Sequence, residues 1–80
     1  MAEVTVLFLA YAADRMSGRT KRYQVRDGTT VSELFSREFK SHLGESMGTF
    51  MFSINADWAD PSQVLRDGDE LAVIPPVSGG

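Results

Sequence analysis

A chain of 80 residues is long enough for one domain with one core. A domain this small buries only roughly 60% of the surface that its unfolded form exposes. The net charge is −3, and Arg19, Lys21 and Arg22 form the only tight basic cluster, which argues against a nucleic-acid-binding protein. The chain has no cysteine, which excludes a disulfide framework and a thiolate nucleophile. The apolar run at residues 4–13 is too short to cross a bilayer and follows no positive charge, so we expect a soluble, cytoplasmic protein without membrane association.

The first predicted strand, residues 4–11, is rich in β-branched and aromatic side chains. Alternation along it places Val6 and Phe8 on one face and Leu7 and Leu9 on the other. Both faces are apolar, which is typical of a strand covered on both sides. We expect a helix of the domain to cover one face and a partner to cover the other.

Two segments follow the first strand. Residues 12–18 show no clear periodicity and end in a turn signal, which predicts a loop. Residues 20–25 predict a second strand with Tyr23 and Val25 facing inward.

An amphipathic helix comes next. Thr30 and Glu33 fit a capping box, in which each residue bonds the other's backbone amide. The apolar residues that follow recur at helical spacing on one stripe: Val31, Leu34, Phe35, Phe39 and Leu43. Gly44 is the expected end of the helix.

The next segments contain one more strand. Residues 50–54 alternate between apolar and other side chains and predict a third strand. Residues 55–61 predict a polar turn region carrying Trp58, and residues 62–66 a short helical turn.

The last predicted strand, residues 70–74, follows a tight turn at residues 67–69 and carries Ile74 on its outward face. It is strongly apolar, as the first strand is, and we expect the two to pair in parallel at the sheet centre. This element order matches the ubiquitin-like β-grasp: an α+β fold with a mixed sheet of four to five strands packed on one amphipathic helix. The domain is expected to span residues 1–74, followed by an extended tail, residues 75–80.

Side chains suited to catalysis are sparse. His42 is the only histidine and lies near the predicted helix end, where a histidine usually interacts with the helix dipole. The acidic run Asp67, Asp69 and Glu70 is more typical of a solvated turn than of a metal site. No glycine-rich phosphate loop follows a strand. We therefore expect no metal and no organic cofactor bound by this chain.

The tail carries the functional signal. Its residues are, in order, Pro75, Pro76, Val77, Ser78, Gly79 and Gly80. The two prolines favour an extended backbone that holds the tail away from the body. The two glycines carry no side chains, so they fit a narrow channel. The reach is roughly 20 Å, enough to deliver the Gly80 carboxylate into another protein's active site. The alternative is an ordinary frayed terminus.

The segment LRDGDELAVIPPVSGG, residues 65–80, closely resembles the C-terminus of the MoaD/ThiS family of ubiquitin-like sulfur carriers. Within that family it looks most like the small subunits of molybdopterin synthase. The similarity extends over essentially the whole chain, including the first strand and the Ile54-Asn55 segment, but only the tail motif is specific.

This resemblance implies a mechanism centred on Gly80. An E1-like adenylyltransferase uses ATP and magnesium to form an acyl-adenylate there, and a sulfur donor converts the acyl group to a thiocarboxylate. The carrier then donates this sulfur to cyclic pyranopterin monophosphate in molybdenum cofactor biosynthesis. The resemblance places the catalytic residues on the large subunit of molybdopterin synthase, with which this non-catalytic subunit forms a heterotetramer.

The docking surface is predicted in part from pattern. Leu9 and Ile74 lie on the outward faces of neighbouring strands, and Trp58 lies in a loop that could be nearby. Exposed apolar patches of this kind usually mark interfaces, and the family resemblance implies hydrophobic contacts to both partners. The alternative is that Trp58 closes the edge of the core.

Three other functions stay open at this point. A sulfur carrier for thiamine thiazole synthesis shares the fold and the Gly-Gly end. A ubiquitin-like modifier would be joined through Gly80 to lysines of other proteins. A plain interaction domain could end in two glycines by chance.

Overall fold

Five strands form one mixed sheet in the part of the chain described by the computed structural model, residues 1–44 and 47–76. In chain order they are β1 (Ala2–Phe8), β2 (Thr20–Val25), β3 (Met51–Ile54), β4 (Asp57–Ala59) and β5 (Glu70–Ile74). The spatial order is β2-β1-β5-β3-β4. β1 and β5 are parallel, and the other neighbouring strands are antiparallel. The predicted parallel pairing of the first and last strands is confirmed.

One helix, α2, packs on the inner face of the sheet. It consists of an α-helical turn (Val31–Leu34), a π-helical turn (Phe35–Phe39) and a second α-helical turn (Lys40–Leu43). Residues four apart are offset by about 40° on an α-helix. The wider π-helical turn brings Phe35, Phe39 and Leu43 closer to one line, which lets all three be buried.

Both ends of α2 match the predicted signals. Thr30 and Glu33 form the capping box, with each backbone amide donating to the other's side-chain oxygen at 2.9 and 3.2 Å. Gly44 ends the helix in the left-handed conformation with φ 68°. Arg15 also donates a hydrogen bond to the carbonyl oxygen of Leu43 at 2.6 Å, which satisfies one of the terminal acceptors.

A short helix, α1 (Tyr11–Arg15), occupies part of the segment predicted as a loop. That prediction is wrong because α1 has too few residues to show a helical period and no capping side chain. β1 ends at Phe8, three residues before the predicted end, since Ala10 adopts φ 51° and turns the chain. None of the helices in the described residues is long and apolar enough to cross a membrane.

The core lies between α2 and the sheet and is rich in aromatic rings. Phe39 packs edge-on against Phe8 with 5.2 Å between ring centroids, and against Phe35 with 5.9 Å. Phe35 in turn meets Phe52 of β3 at 5.9 Å. Such edge-to-face pairs add about 0.5–1.5 kcal/mol each beyond their buried area, and they connect α2 to both halves of the sheet.

The segment between β3 and β5 differs from the sequence prediction in two ways. Residues 55–61 contain a strand, β4, and Trp58 lies on that strand rather than in a loop. Residues 62–66 form no helical turn: Val64 makes an isolated antiparallel bridge with Thr30, and the Leu65 amide donates to the Thr29 carbonyl. This segment is pinned to the start of α2, which outweighs its weak local helical preference.

Candidate docking face

The sheet face opposite α2 carries two rows of mainly apolar side chains at one end. In the first row, Leu7, Ala72, Ser53 and Trp58 lie side by side through the pairing of β1, β5, β3 and β4. In the second row, Ile74 pairs with Met51, and the Leu9 amide donates to the Val73 carbonyl, which places Leu9 beside Ile74. We call these six apolar residues the apolar rows: Leu7, Leu9, Met51, Trp58, Ala72 and Ile74.

The structure places Leu9, Trp58 and Ile74, the predicted docking residues, on this same face. Trp58 is 70% exposed and Leu9 39% exposed, whereas Ile74 is half-buried. An indole this exposed does not close the edge of the core, so that alternative for Trp58 is wrong. A contiguous exposed apolar patch is typical of a protein–protein interface.

Met51, 54% exposed, belongs to the apolar rows and was missed by the sequence prediction. The signal was available: the inward alternation of Phe50, Phe52 and Ile54 leaves Met51 on the opposite face. Met51 lies between Ile74 and β4, so it makes the patch continuous from β5 toward Trp58.

A hydrogen-bond network fixes the hairpin that carries Trp58. The Asn55 carboxamide accepts from the Glu70 amide and donates to an Asp69 carboxylate oxygen, both at 2.9 Å. The Asn55 amide donates to the Glu70 carbonyl at 2.8 Å. These bonds join the β3–β4 turn to the start of β5, so the Asn55 side chain and backbone together hold Trp58 in position relative to Ile74.

The other end of the same face is polar. Thr5 of β1 pairs with Arg22 of β2 on one side and with Glu70 of β5 on the other. Glu3 and Gln24 form the next pair. The apolar surface is therefore confined to the end of the sheet at which β5 ends.

The chain leaves the sheet at this apolar end. Pro75 follows Ile74 and is buried, and Pro76 is exposed. The remaining predicted tail residues, Val77, Ser78, Gly79 and Gly80, lie outside the described residues. Pro76 lies at the same end of the sheet as the apolar rows, so a partner bound to them would be close to Pro76.

The titratable side chains of the described residues show no catalytic arrangement. Asp67 accepts a hydrogen bond from the Glu3 amide at 2.8 Å, and Asp69 accepts one from the Arg66 amide at 2.8 Å, so both serve the turn before β5. Nowhere in residues 1–44 and 47–76 do three His, Asp or Glu side chains come together as a metal site would require. His42 is exposed at the end of α2.

Among the described residues, Tyr23 and Asp60 have shifted pKa values, and neither lies in the apolar rows. Burial, and then the nearby Glu38 carboxylate, raise the pKa of Tyr23. Hydrogen bonds from the Ser62 side chain and amide lower the pKa of Asp60. Both shifts have local causes: burial and a neighbouring carboxylate for Tyr23, and hydrogen bonds for Asp60.

The chain is similar over nearly its whole length to proteins of known role. The profile of the ThiS family matches residues 6–80. The molybdopterin synthase sulfur carrier subunit of Chlamydomonas reinhardtii is 30% identical over 98% of this chain and 99% of its own. The crystal structure of SAMP1 from Haloferax volcanii superimposes with a TM-score of 0.82 at 27% identity, covering 99% of this chain and 100% of its own. One chain of the complex of subunits 1 and 2 of the molybdopterin-converting factor from Helicobacter pylori superimposes with a TM-score of 0.67 at 26% identity. The match covers 98% of this chain and 99% of that one.

The sheet order, the single covering helix and the apolar outer face define a ubiquitin-like β-grasp protein. The predicted fold class is therefore confirmed. Because the family profile extends over residues 6–80, the chain belongs to the ThiS family.

Proposed function

We propose that this chain is the sulfur carrier subunit of a molybdopterin synthase. The observation that carries the proposal is the full-length similarity to a molybdopterin synthase sulfur carrier subunit. The composition supports it, because a chain without cysteine must carry sulfur on another group, and the Gly80 carboxylate is suited to that role.

The proposed chemistry takes place at the Gly80 carbonyl carbon. A carboxylate is a poor electrophile, so an E1-like adenylyltransferase first joins it to AMP from magnesium-bound ATP and releases pyrophosphate. A sulfur nucleophile at the oxidation level of hydrosulfide then displaces AMP and leaves a thiocarboxylate. The thiocarboxylate sulfur attacks a carbon of cyclic pyranopterin monophosphate and displaces an oxygen substituent from that carbon. Water then adds to the Gly80 carbonyl carbon and cleaves the acyl–sulfur bond, which leaves the sulfur on the pterin and restores the carboxylate. The chain itself supplies the carrier group and the docking surface, and the large subunit supplies the catalytic side chains.

The apolar rows are the proposed binding surface for the large subunit. Their six side chains lie at the end of the sheet from which Pro76 leaves, so docking there orients the tail toward the bound partner. The similarity to the Helicobacter pylori complex supports a partner of this kind. Pro75, Pro76, Val77, Ser78 and Gly79 then serve as the inserting segment, and we propose a heterotetramer of two carriers and two large subunits.

Affinity capture tests this function. The tagged chain is retained from its native cell extract, washed under native and then denaturing conditions, and its bound proteins are identified by mass spectrometry. We expect a molybdopterin synthase large subunit and an E1-like enzyme, both lost on denaturation. Intact-mass analysis of the carrier should also show a fraction in which one oxygen is replaced by sulfur. The absence of both proteins and of this mass change would contradict the proposal.

A second candidate function is protein modification through Gly80. Its support is the similarity to small archaeal modifier protein 1 of Haloferax volcanii, 28% identical in a second crystal structure. Adenylation is common to both functions, but a modifier ends as an isopeptide on a lysine of another protein. A series of partners that survives the denaturing wash and yields Gly80–lysine peptides would favour this function over the carrier.

A further inference from the structure

A polar groove of about 360 Å³ lies where β2 ends and α2 begins. Its lining consists of Arg26, Asp27, Gly28, Thr29, Glu33 and Arg37. The pairing of Ala2 with Val25 places Arg26 beside the start of β1, whereas Pro76 follows the end of β5, which is parallel to β1. The groove is therefore at the opposite end of the sheet from the apolar rows, and we call it the Arg26–Arg37 groove.

The turn between β2 and α2 contributes Gly28 and Thr29 to this groove. The Thr29 amide donates to the Arg26 carbonyl at 3.1 Å, and the Thr29 carbonyl accepts from the Leu65 amide at 2.8 Å. Gly28 has φ 89°, which is typical of the third position of a type II turn, and its amide has no acceptor among the described residues. Both backbone polar groups of Thr29 are thus used, and the Gly28 amide is free.

The Thr29 hydroxyl has no partner although its residue is buried. Thr29 is only 6% exposed, and its hydroxyl makes no hydrogen bond within residues 1–44 and 47–76. Every fully enclosed side-chain nitrogen or oxygen in those residues does have a partner, so the Thr29 hydroxyl must reach the surface, and Thr29 lines the Arg26–Arg37 groove. A buried threonine that keeps its hydroxyl open to a polar groove points to a ligand, because an unpaired buried hydroxyl is otherwise unfavourable.

The two arginines give the groove a surplus of positive charge. Arg26 takes part in no ion pair within the described residues, and Arg37 contacts Glu38 at 3.5 Å through Nε. The two acidic residues of the lining are engaged elsewhere: Asp27 pairs with the N-terminal ammonium at 3.4 Å, and Glu33 accepts two hydrogen bonds in the capping box. The Arg26 guanidinium is therefore a cation in this groove that lacks a counter-charge.

The start of α2 adds no free amide to the groove. The amides of Val31 and Ser32 donate to carbonyl oxygens at 3.0 and 2.8 Å, and the Glu33 amide donates to the capping hydroxyl at 3.2 Å. The donors of this groove are therefore its two guanidinium groups, the Gly28 amide and the Thr29 hydroxyl.

We propose that the Arg26–Arg37 groove binds the phosphate group of a small molecule. Donors that include two guanidinium forks suit a phosphate group, which has at least three acceptor oxygens, better than a carboxylate, which has two. The volume of about 360 Å³ lies at the lower end of the range of roughly 300–1,000 Å³ that is typical of small-molecule sites. The inference goes beyond the proposed function and assigns this chain a second site, for inorganic phosphate or a phosphate ester.

A phosphate titration followed by amide NMR tests this site on the free chain. Sodium phosphate replaces sodium chloride at pH 7 and constant ionic strength, and the shifts of the Gly28 and Thr29 amides are recorded. We expect saturable shifts with a dissociation constant on the order of 1 mM. The same titration with glycerol phosphate identifies the source: tighter binding of the ester assigns the groove to a phosphate ester, and equal or weaker binding assigns it to inorganic phosphate.

Four variants locate the bound anion. Arg26→Gln and Arg37→Gln should each raise the dissociation constant about tenfold, because each removes a charge-assisted contact. Arg66→Gln is the matched control: it removes the same charge at the same end of the sheet, but Arg66 lines a different cavity, so binding should change less than about twofold. Thr29→Val should weaken binding about threefold or more without lowering Tm, since the hydroxyl has no partner in the free chain.

Several results would overturn the proposal. Shifts that rise linearly with phosphate and never saturate would show that no site exists. Equal weakening by Arg26→Gln and Arg66→Gln would indicate only a general attraction of anions to this end of the molecule. Acetate binding as tightly as phosphate would assign the groove to a carboxylate instead. The large subunit takes no part in these measurements, so their failure leaves the proposed function standing, and failure of the large subunit to bind leaves the phosphate site standing.

Discussion

Tyr23 lies half-buried between β2 and α2, and its ring packs edge-on against Phe39 with 5.5 Å between centroids. Burial and the Glu38 carboxylate raise its pKa, which favours the neutral phenol in the folded state. Because the pKa of Tyr23 is higher in the folded than in the unfolded chain, the neutral phenol contributes to the free energy of unfolding. This contribution is fully present below the unfolded pKa of about 10 and is lost as the pH rises through the folded pKa. Ionisation of this tyrosine therefore destabilises the fold only in alkaline solution.

The Tyr23→Phe variant should remove this alkaline effect. The ring contact with Phe39 is retained, so the free energy of unfolding at pH 7 should change by less than about 0.5 kcal/mol. Above about pH 10, the unfolded pKa, the variant should become progressively more stable than the wild type as the pH rises. Urea denaturation at a series of pH values measures the difference. Parallel curves for the two proteins over this range would show that Tyr23 ionises with no penalty from folding.

Gly80 is the residue on which the proposed chemistry depends. Its deletion moves the carboxylate back by one residue, and small displacements of a reacting group cost about 100-fold or more in rate. We expect thiocarboxylate formation and sulfur transfer to fall at least that far, while thermal unfolding and binding to the large subunit stay close to wild type. Intact-mass analysis after incubation with the activating enzyme measures the first effect. Undiminished transfer in the deletion variant would sink the carrier function.

At the scale of elements, the sequence predicted a helix or strand correctly where a strong local signal belongs to a segment that is also buried in the core. α2 combines a capping box at Thr30 and Glu33 with a buried apolar stripe, and β1 and β5 combine high strand propensity with burial. α1 failed because its five residues are held by tertiary contacts, among them the bond from Arg15 to the Leu43 carbonyl. That bond joins residues 28 apart in the chain and leaves no periodic pattern in the local sequence.

The missed strand β4 has a specific cause. A two-residue turn between Ile54 and Asp57 requires positive φ at both positions, which Asn55 and Ala56 adopt with 52° and 72°. The usual sequence signal for such a turn is Asn-Gly. With Ala56 in place of glycine the hairpin lacks its marker, and Trp58 was assigned to a loop although its partner strand was correctly predicted.

The same turn yields a stability prediction. Ala56→Gly removes the steric strain of a left-handed alanine, which outweighs the added entropy of the unfolded chain. We expect a gain of about 1 kcal/mol and a rise in Tm of about 4–8 °C. Ala59→Gly, in regular strand conformation on β4, is the matched control and should destabilise by about 0.5–1 kcal/mol. Calorimetry that finds the same sign for both variants would contradict the turn geometry.

At the scale of the whole molecule, the apolar rows are defined by strand register, and the sequence could reveal only part of them. Leu9 and Ile74 were predicted from alternation within single strands. The position of Trp58 in the row depends on the chain of pairs from Ala72 through Ser53. Register between distant strands is set by tertiary packing, so the sequence indicated the residues but not their continuity.

The Trp58→Ala variant tests whether the apolar rows bind the large subunit. An exposed indole that becomes buried in an interface commonly contributes about 2 kcal/mol or more, so we expect the dissociation constant for the large subunit to rise by about 30-fold or more. Val64→Ala is the control, since Val64 is 40% exposed but bridges to Thr30 away from the apolar rows. It should bind as the wild type does. Equal affinities for wild type and Trp58→Ala would rule out this docking surface.

The pairing of β1 with β5 links folding to synthesis. A nascent chain emerges with β1 first, yet β1 and β3 lack the strand between them until residues 70–74 have left the ribosome. Closing the sheet therefore joins the two most distant parts of the chain, a contact that forms late and at high entropic cost. A prematurely terminated product that lacks β5 cannot assemble the apolar rows. In this arrangement, the proposed docking face forms only after translation has passed the strand from which the tail extends, so an incomplete chain without β5 would offer a partner no such face.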